Sequence, residues 1–158
     1  MSKHKVDDLD LAILSELSAD SSISVPRLSE RIGANPSVVY SRIRRLVRNR
    51  LIEGYTITVN DAALGYAIKA LIGVKTDTTR RDHIIEELFT IDGVRGVAEV
   101  TGRFDMLVTM HSGSLDEMHK VVSERVGRID GVLSSESFIE LKSRSKAMPY
   151  MRSRSTQA

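Results

Sequence analysis

The hydrophobic period of this chain changes near residue 50, and this change constrains the fold more than any other feature. Before it, apolar residues recur every three or four positions, the spacing that places side chains on one face of a helix. The first such set is Val6, Leu9, Ile13 and Leu17. After it, apolar and β-branched residues alternate with polar ones, as in half-exposed strands. We therefore predict an α+β protein with a helical unit over residues 1–60, a linker over 61–66, a mixed unit over 67–142 and a basic, flexible tail over 143–158.

The first unit contains two short helices joined by a tight turn. Residues 25–32 are predicted helical, and Gly33 ends that helix because glycine readily adopts the left-handed conformation common at helix C-termini. A third helix is predicted over residues 36–49, with Asn35 as its N-cap. This is the pattern of a helix-turn-helix, whose second helix enters the major groove of DNA. The alternating residues 51–60 predict a strand, which makes the unit winged-helix-like.

The predicted third helix carries a local positive charge. Residues 37–50 include five arginines and no acidic residue, although the net charge of the whole chain is only +2. A basic stripe within a nearly neutral protein suits DNA phosphates. Val38, Ser41 and Arg42 are suited to base edges, and Arg44, Arg45 and Arg48 to phosphates. The full predicted DNA-binding set is Asn35, Ser37, Val38, Ser41, Arg42, Arg44, Arg45 and Arg48.

Two alternatives to this interpretation stay open. A basic helix can simply be a solvated face of a three-helix bundle, and Arg42 can brace the domain instead of contacting a base. The DNA-binding interpretation also requires the third helix to be exposed and its arginines not to be neutralised by neighbouring carboxylates.

The second unit has the element order β-α-β-β-α-β, which is the ferredoxin-like fold. The predicted strands cover residues 67–75, 94–100, 105–111 and 132–141, and the predicted helices cover 80–89 and 115–126. Two helices cover only one face of a four-stranded sheet. On the first strand, Leu71 and Gly73 belong to the uncovered face, which is therefore partly apolar and favours a two-fold dimer.

Taken together, these motifs resemble the Lrp/AsnC family, the feast/famine regulators of bacteria and archaea. The resemblance extends from Val6 to Lys142 and rests on the order and spacing of several segments. These are Asp8-Leu9-Asp10-Leu11-Ala12-Ile13-Leu14, Gly33-Ala34-Asn35-Pro36-Ser37-Val38-Val39, Arg42-Ile43-Arg44-Arg45-Leu46, Leu51-Ile52-Glu53-Gly54-Tyr55 and Val100-Thr101-Gly102-Arg103-Phe104-Asp105. The resemblance implies a transcriptional regulator that forms dimers, often assembled into tetramers or octamers, with double-stranded DNA as its partner.

The resemblance also implies an effector, an amino acid or a similar small molecule, bound between subunits. The family's Gly-x-x-Asp turn matches Gly102 and Asp105, and the paired hydroxyls of its final strand match Ser135 and Ser137. The residues agree with this, because the backbone N–H groups of Thr101, Gly102 and Arg103 suit a carboxylate and Asp105 suits an α-amino group. The alternative is that Gly102 and Asp105 only build a tight hairpin turn.

The chain lacks the residues that several classes of protein function require. The chain has no cysteine, which excludes disulfides, thiol catalysis and cysteine zinc sites. His4, His83, His111 and His119 do not have the spacing of metal ligands, and there is no phosphate-binding glycine loop or catalytic triad. No apolar stretch is long enough to span a bilayer, and no signal peptide is visible. We expect a cytoplasmic protein that is not an enzyme and uses no metal, cofactor or membrane.

Two other functions remain as alternatives. One is an architectural DNA-binding oligomer without an effector. The other is an enzyme similar to haem-pathway decarboxylases of this architecture, with His83, His111 and Arg103 beside a tetrapyrrole. The tail is basic and contains no acid (Lys142, Arg144, Lys146, Arg152 and Arg154). Three possibilities are open for the tail: contact with DNA, contact with another subunit, or no role.

Overall fold

The chain forms two units in a computed structural model that describes residues 6–147, 149 and 150. His4, Arg152 and Arg154, named above, lie outside the described residues. The first unit contains the chain up to Thr58 together with the residues from Arg144 onward, and the second unit contains Val59–Ser143.

Three helices make the first unit: α1 (Asp8–Ala19), α2 (Val25–Ile32) and α3 (Pro36–Arg48). Their packing follows from the helical spacing of apolar residues, because Ile13, Leu28, Val39 and Leu46 are all buried in one core. Gly33 ends α2 with φ of 66°, a left-handed conformation in which any other residue would be strained. The helix-turn-helix predicted from the sequence is therefore present.

The strand predicted over residues 51–60 is wrong. Residues 53–60, all of which the structure describes, have no regular secondary structure. The physical reason is that a strand needs a neighbour to accept and donate its backbone hydrogen bonds, and the only sheet formed by the described residues is composed of four other segments. The alternating pattern is present but does not bury an apolar face, since Tyr55 and Ile57 are exposed.

The second unit is a four-stranded antiparallel sheet with two helices. Its elements are β1 (Ile68–Thr76), α4 (Arg81–Phe89), β2 (Val94–Glu99), β3 (Met106–Ser112), α5 (Leu115–Glu124) and β4 (Val132–Ile139). The strand order is β2-β3-β1-β4, so the predicted ferredoxin-like fold is confirmed. The predicted second helix is shorter than expected, because a separate 3-10 turn, Val126–Arg128, follows α5.

The alternation of β1 separates the two faces of the sheet. Ala70, Ile72 and Val74 are buried in one core with Ile84 of α4 and Met118 of α5. The opposite face, which we call the open face, carries Leu71, which is exposed, together with the aromatic rings of Phe104 and Phe138. No helix within the described residues is long and apolar enough to cross a membrane.

The predicted linker, residues 61–66, has structure of its own. Asp61–Leu64 form a 3-10 helix, whose N-cap is Asn60. The Asp61 carboxylate lies 2.9 Å from Lys69 Nζ and 3.4 Å from His111 Nδ1. The Lys69 contact fastens the segment to β1, and the domain boundaries themselves remain predictions.

Gly73 of β1 is expected to be intolerant of a side chain. A Cβ at this position would lie 2.6 Å from the Phe104 ring, which covers the glycine on the open face. Gly73→Ala is therefore expected to lower the free energy of unfolding by about 1–2 kcal/mol, because overpacking forces the ring to move. Gly96→Ala on β2 is the control, since a Cβ there meets no atom within 4 Å. Chemical denaturation measures both, and equal stability of the two variants would contradict the packing argument.

Candidate functional site

One side of α3 is exposed, and we call it the α3 outer face. It consists of Ser37, Val38, Tyr40, Ser41, Arg44 and Arg48. The opposite side of the helix is held by the buried residues Val39 and Leu46. Within the described residues, neither Arg44 nor Arg48 forms an ion pair with a carboxylate. The outer face therefore presents free positive charge and short polar side chains to solvent.

The start of α3 is rigidly defined. The Asn35 side chain accepts a hydrogen bond from the Ser37 backbone N–H at 2.9 Å, as its predicted N-cap role requires. The Ala34 N–H donates to the Ser29 carbonyl at 3.0 Å across the turn. This turn fixes the direction in which α3 leaves α2, and with it the position of Ser37 and Val38.

Tyr40 is a surface residue that the sequence analysis missed. Its side chain is 56% exposed, and the Arg44 guanidinium lies 5.9 Å from the ring centroid, within range of a cation–π contact. The signal was available, because positions 37, 40, 41, 44 and 48 recur at the spacing of one helical face. Tyr40 thus gives Arg44 a preferred direction and adds an aromatic ring to the outer face.

Arg42 and Arg45 face α1 instead of lying on the α3 outer face. Arg42 Nη1 lies 2.5 Å from Asp7 Oδ2 and 3.2 Å from Asp10 Oδ1, and Arg45 Nη2 lies 2.5 Å from Asp10 Oδ2. Hydrogen bonding to Asp7, ahead of the opposing effect of burial, raises the pKa of Arg42 above its ordinary value. Asp10 is fully buried.

The arginines of α3 are therefore divided between two roles. Two of those predicted to bind DNA are neutralised by α1 carboxylates, which favours the bracing alternative left open for Arg42 and extends it to Arg45. Two others, Arg44 and Arg48, are exposed and are not neutralised by a carboxylate of the described residues, as DNA binding requires. Contact of Arg42 or Arg45 with DNA stays an untested prediction.

The Asp7–Arg42 pair is expected to make the first unit sensitive to acid. Hydrogen bonds from Arg42 and from the Asp10 backbone lower the pKa of Asp7 from 3.8 to about 2. A lowered pKa stabilises the fold above pH 3.8, and this contribution disappears as the pH falls through about 2. Its size is about 1 kcal/mol, because solvent screens a carboxylate that is 41% exposed.

Asp7→Asn tests this pH dependence, because Asp7 is the N-cap of α1 and asparagine caps helices as well as aspartate does. We expect the variant to lose less stability than the unmodified chain between pH 5 and pH 2.5, by about two-thirds of this contribution, in chemical denaturation. Parallel losses in the two proteins would show that Asp7 is not the titrating group.

The loop from Val100 to Asp105 is closed by its own hydrogen bonds. The Val100 N–H donates to the Asp105 carbonyl at 2.9 Å. One Asp105 carboxylate oxygen accepts the Thr76 N–H at 2.9 Å, and the other lies 3.2 Å from Arg81 Nη2. Asp105 therefore fastens the loop to β1 and α4, as the hairpin-turn alternative expects. Thr101 and Gly102 at the tip are exposed.

Ser135 and Ser137 line a groove on the helix-covered face of the sheet. They pair with Val74 and Ile72 of β1, whose side chains point to that face. The groove has a volume of about 460 Å³ and is bordered by Met118, His119 and Val122 of α5. It is mainly apolar, with hydroxyl groups on its β4 side.

Within one chain, the predicted effector residues do not form a single site. Arg103 lies 2.7 Å from Glu136, which pairs with Gly73 and so points to the open face. Ser135 and Ser137 point to the other face. The loop and the β4 hydroxyls thus face different directions, and one small molecule cannot contact both sets in the same chain.

Comparisons with known proteins agree with both halves of this description. Residues 69–150 match the family described as "Lrp/AsnC ligand binding domain", and residues 6–53 match "Winged helix-turn-helix DNA-binding". The transcriptional regulator FL11 of Pyrococcus furiosus is 31% identical over 87% of this chain and 90% of its own length. The proline dehydrogenase transcriptional activator of Rhizobium radiobacter is 30% identical over 89% of this chain and 94% of its own length.

Solved structures show the same fold. The AsnC structure from E. coli has a TM-score of 0.79 at 24% identity and covers 95% of this chain and 98% of its own. A feast or famine regulatory protein from M. tuberculosis, complexed with L-methionine, has a TM-score of 0.81 at 25% identity, covering 90% of this chain and 96% of its own.

Proposed function

Because the chain belongs to the Lrp/AsnC family of transcriptional regulators, we propose that it binds DNA sequence-specifically through the α3 outer face and responds to a small effector. The observation that carries the DNA-binding proposal is that the arginines of α3 differ in their contacts. Arg44 and Arg48 are exposed and unpaired within the described residues. Arg42 and Arg45 instead pair with Asp7 and Asp10 and so hold α3 against α1. This arrangement presents a recognition helix and braces it at the same time.

The roles proposed on the α3 outer face follow from residue chemistry. Ser37, Val38 and Ser41 are short and lie at the first two turns of α3, where a recognition helix approaches base edges. Arg44 and Arg48 lie further along and suit phosphates, which position a protein without specifying sequence. Asn35 contributes by capping the helix.

A homodimer is the proposed functional state, with tetramers or octamers as larger assemblies. Leu71 and Phe138 leave an apolar area on the open face of the sheet, and a second copy would bury it. A two-fold dimer presents two recognition helices to half-sites about 34 Å apart. Since such a regulator acts on the chromosome, we place its action in the cytoplasm.

The proposed effector is an amino acid or a similar small molecule bound where two subunits meet. The loop around Gly102 and the β4 groove face different directions in one chain, so a shared site requires the loop of one subunit and the groove of another. The M. tuberculosis protein complexed with L-methionine supports an amino acid as the ligand class. No other cofactor is proposed.

Sequence-specific binding is tested by selecting duplexes from a random pool and comparing the best of them with random DNA in about 0.15 M salt. We expect at least a 10³-fold preference, as for other specific DNA-binding proteins. Ser41→Ala should change which sequence is preferred. Equal affinity for selected and random duplexes would overturn specific regulation and favour the architectural alternative.

Effector binding is tested by equilibrium dialysis of L-methionine and the other common amino acids. Ser137→Ala is expected to weaken binding about tenfold, the effect of one lost hydrogen bond to a charged group. Ser18→Ala is the control, because Ser18 is exposed on α1 in the first unit, away from the β4 groove. Absence of binding by every amino acid would overturn the proposal of an amino-acid effector.

The enzyme alternative receives no support from the geometry. Its candidates are spread over the second unit: Arg103 precedes β3, His111 lies near the other end of that strand beside Asp61, and His83 is exposed on α4. The similar proteins named above are transcriptional regulators. We therefore propose no enzymatic activity.

A further inference from the structure

Tyr40 of the α3 outer face exposes an aromatic ring that the fold does not use. The residue is 56% exposed and does not belong to the core of the first unit, although the adjacent Val39 is fully buried in it. The Tyr40 hydroxyl forms no hydrogen bond with any other described residue. Both the ring and the hydroxyl are therefore available to a partner of α3.

The Tyr40 ring is held by one neighbour. The Arg44 guanidinium, one helical turn further along α3, lies 5.9 Å from the ring centroid. A guanidinium stacked on an aromatic ring keeps the N–H groups in its own plane free for a phosphate. A tyrosine also has only two side-chain torsions to fix, so it loses little conformational entropy when a partner covers its ring. The ring is thus partly ordered before α3 meets DNA.

The position of Tyr40 places its ring beside side chains that are suited to base edges. Ser37 lies one turn before Tyr40 on the same side of α3, and Ser41 follows it directly. A serine hydroxyl is short, so Ser37 and Ser41 reach base edges only if the backbone of α3 lies deep in the major groove. A tyrosine ring extends well beyond the reach of a serine hydroxyl. At that approach, the Tyr40 ring enters the groove as well.

Thymine is the base that an apolar ring can recognise in the major groove. Each base pair presents a different set of groups there, and only thymine presents a methyl group, at C5. Apolar side chains contact this methyl group without a hydrogen bond. A phosphate is the other group that a tyrosine can contact, through its hydroxyl, but Arg44 and Arg48 of the same helix already suit phosphates. The location of Tyr40 next to Ser41 favours the methyl group.

We propose that Tyr40 determines sequence specificity by packing its ring against the C5-methyl group of a thymine in each half-site, while its contact with Arg44 keeps the ring in place. The inference rests on the proposed function, since it requires α3 in a major groove. It adds one recognised base to that function. The preferred duplex then contains a thymine whose methyl group contributes to affinity, and loss of the ring relaxes selectivity at that position.

The first test removes the methyl group and the ring separately and together. A preferred duplex is selected with the unmodified chain, and each of its thymines is replaced in turn by uracil, which lacks only the methyl group. We expect one replacement in each half-site to lower affinity about 3- to 5-fold, the effect of one methyl group taken from an apolar contact. With Tyr40→Ala, the same replacement should change affinity by less than about 1.5-fold, because groups in contact are not additive. An equal loss in both proteins, or no sensitive thymine at all, would overturn the proposal.

Tyr40→Phe separates the ring from the hydroxyl. Phenylalanine keeps the ring and its apolar faces, so this variant is expected to keep the full loss on uracil replacement. Tyr40→Ala should bind the preferred duplex about tenfold more weakly than the unmodified chain, at the lower end of the range for one base contact. If Tyr40→Phe instead behaves as Tyr40→Ala does, the hydroxyl makes the contact and the methyl group is not what Tyr40 recognises.

Two control variants check that the effect belongs to Tyr40. Tyr55→Ala is the matched change at a tyrosine that is 57% exposed but lies outside α3, and it should keep the loss on uracil replacement. Val38→Ala removes the other apolar side chain beside Ser37 and should keep the loss at the thymine assigned to Tyr40. If Val38→Ala rather than Tyr40→Ala abolishes the loss at every sensitive thymine, Val38 contacts the methyl group and the proposal is wrong.

This inference and the proposed function fail in distinguishable ways. If the unmodified chain binds selected and random duplexes equally, the proposed function fails and the inference on Tyr40 with it. If the chain prefers selected duplexes and Ser41→Ala changes that preference, but Tyr40→Ala keeps the full response to uracil, only the inference on Tyr40 is wrong.

Discussion

Asp10→Asn is expected to lower the free energy of unfolding of the first unit by about 3 kcal/mol, the cost of breaking a buried ion pair by removing one partner. The Asp10 carboxylate is fully buried and receives three groups: the Asp7 backbone N–H at 3.1 Å, Arg42 and Arg45. Asparagine keeps the size of the side chain but removes the charge that compensates Arg45 and that, together with Asp7, compensates Arg42. Chemical denaturation measures the change.

Glu16→Gln is the matched control for this prediction. It removes a carboxylate from the same helix, but Glu16 is partly exposed and pairs with the exposed Arg31 at 3.0 Å. An exposed pair of this kind contributes at most about 1 kcal/mol. If Asp10→Asn costs no more than Glu16→Gln, then the carboxylates of α1 do not brace α3, and Arg42 and Arg45 become available for DNA again.

The double variant Arg44→Ala, Arg48→Ala is expected to weaken binding to every duplex about 10- to 100-fold near 0.1 M salt. The slope of log affinity against log salt should become shallower by about 2, because each lost phosphate contact contributes about 0.9. The stability of the fold should change by less than about 0.5 kcal/mol, since both side chains are exposed. Binding titrations over a range of KCl concentrations measure both quantities.

Arg42→Ala separates phosphate contact from bracing. It removes the same charge from the same helix, but its guanidinium is held by Asp7 and Asp10. We expect this variant to lose stability and to keep the salt slope of the unmodified chain when measured well below its unfolding temperature. A shallower slope for Arg42→Ala, with Arg44 and Arg48 variants unchanged, would reverse the assigned roles.

Local rules predicted the three helices well. Gly33 ended α2 and Asn35 capped α3 as expected, because glycine conformation and N-cap hydrogen bonds depend on residues only a few positions apart. The same rules failed for residues 51–60. An alternating apolar pattern makes a strand possible, but the backbone hydrogen bonds of a strand depend on a distant partner, which the described chain does not supply.

The candidate sites needed the tertiary structure for a similar reason. All five arginines of residues 37–50 look equivalent in the sequence, and only the position of Asp7 and Asp10 on α1 separates Arg42 and Arg45 from Arg44 and Arg48. The opposite directions of Arg103 and Ser137 likewise depend on the register between β1 and β4. Tyr40 was visible in the helical spacing and was overlooked.

The amino-acid sequence by itself determined the order of helices and strands, the turn between α2 and α3, and the resemblance to a family of regulators. These features follow from side-chain periodicity and from conformational preferences of single residues. Only the tertiary structure decided which charges are free and which face of the sheet each predicted effector residue occupies. Those properties depend on contacts between residues far apart in the chain, and the energy of such contacts exists only once the helices and strands have packed together.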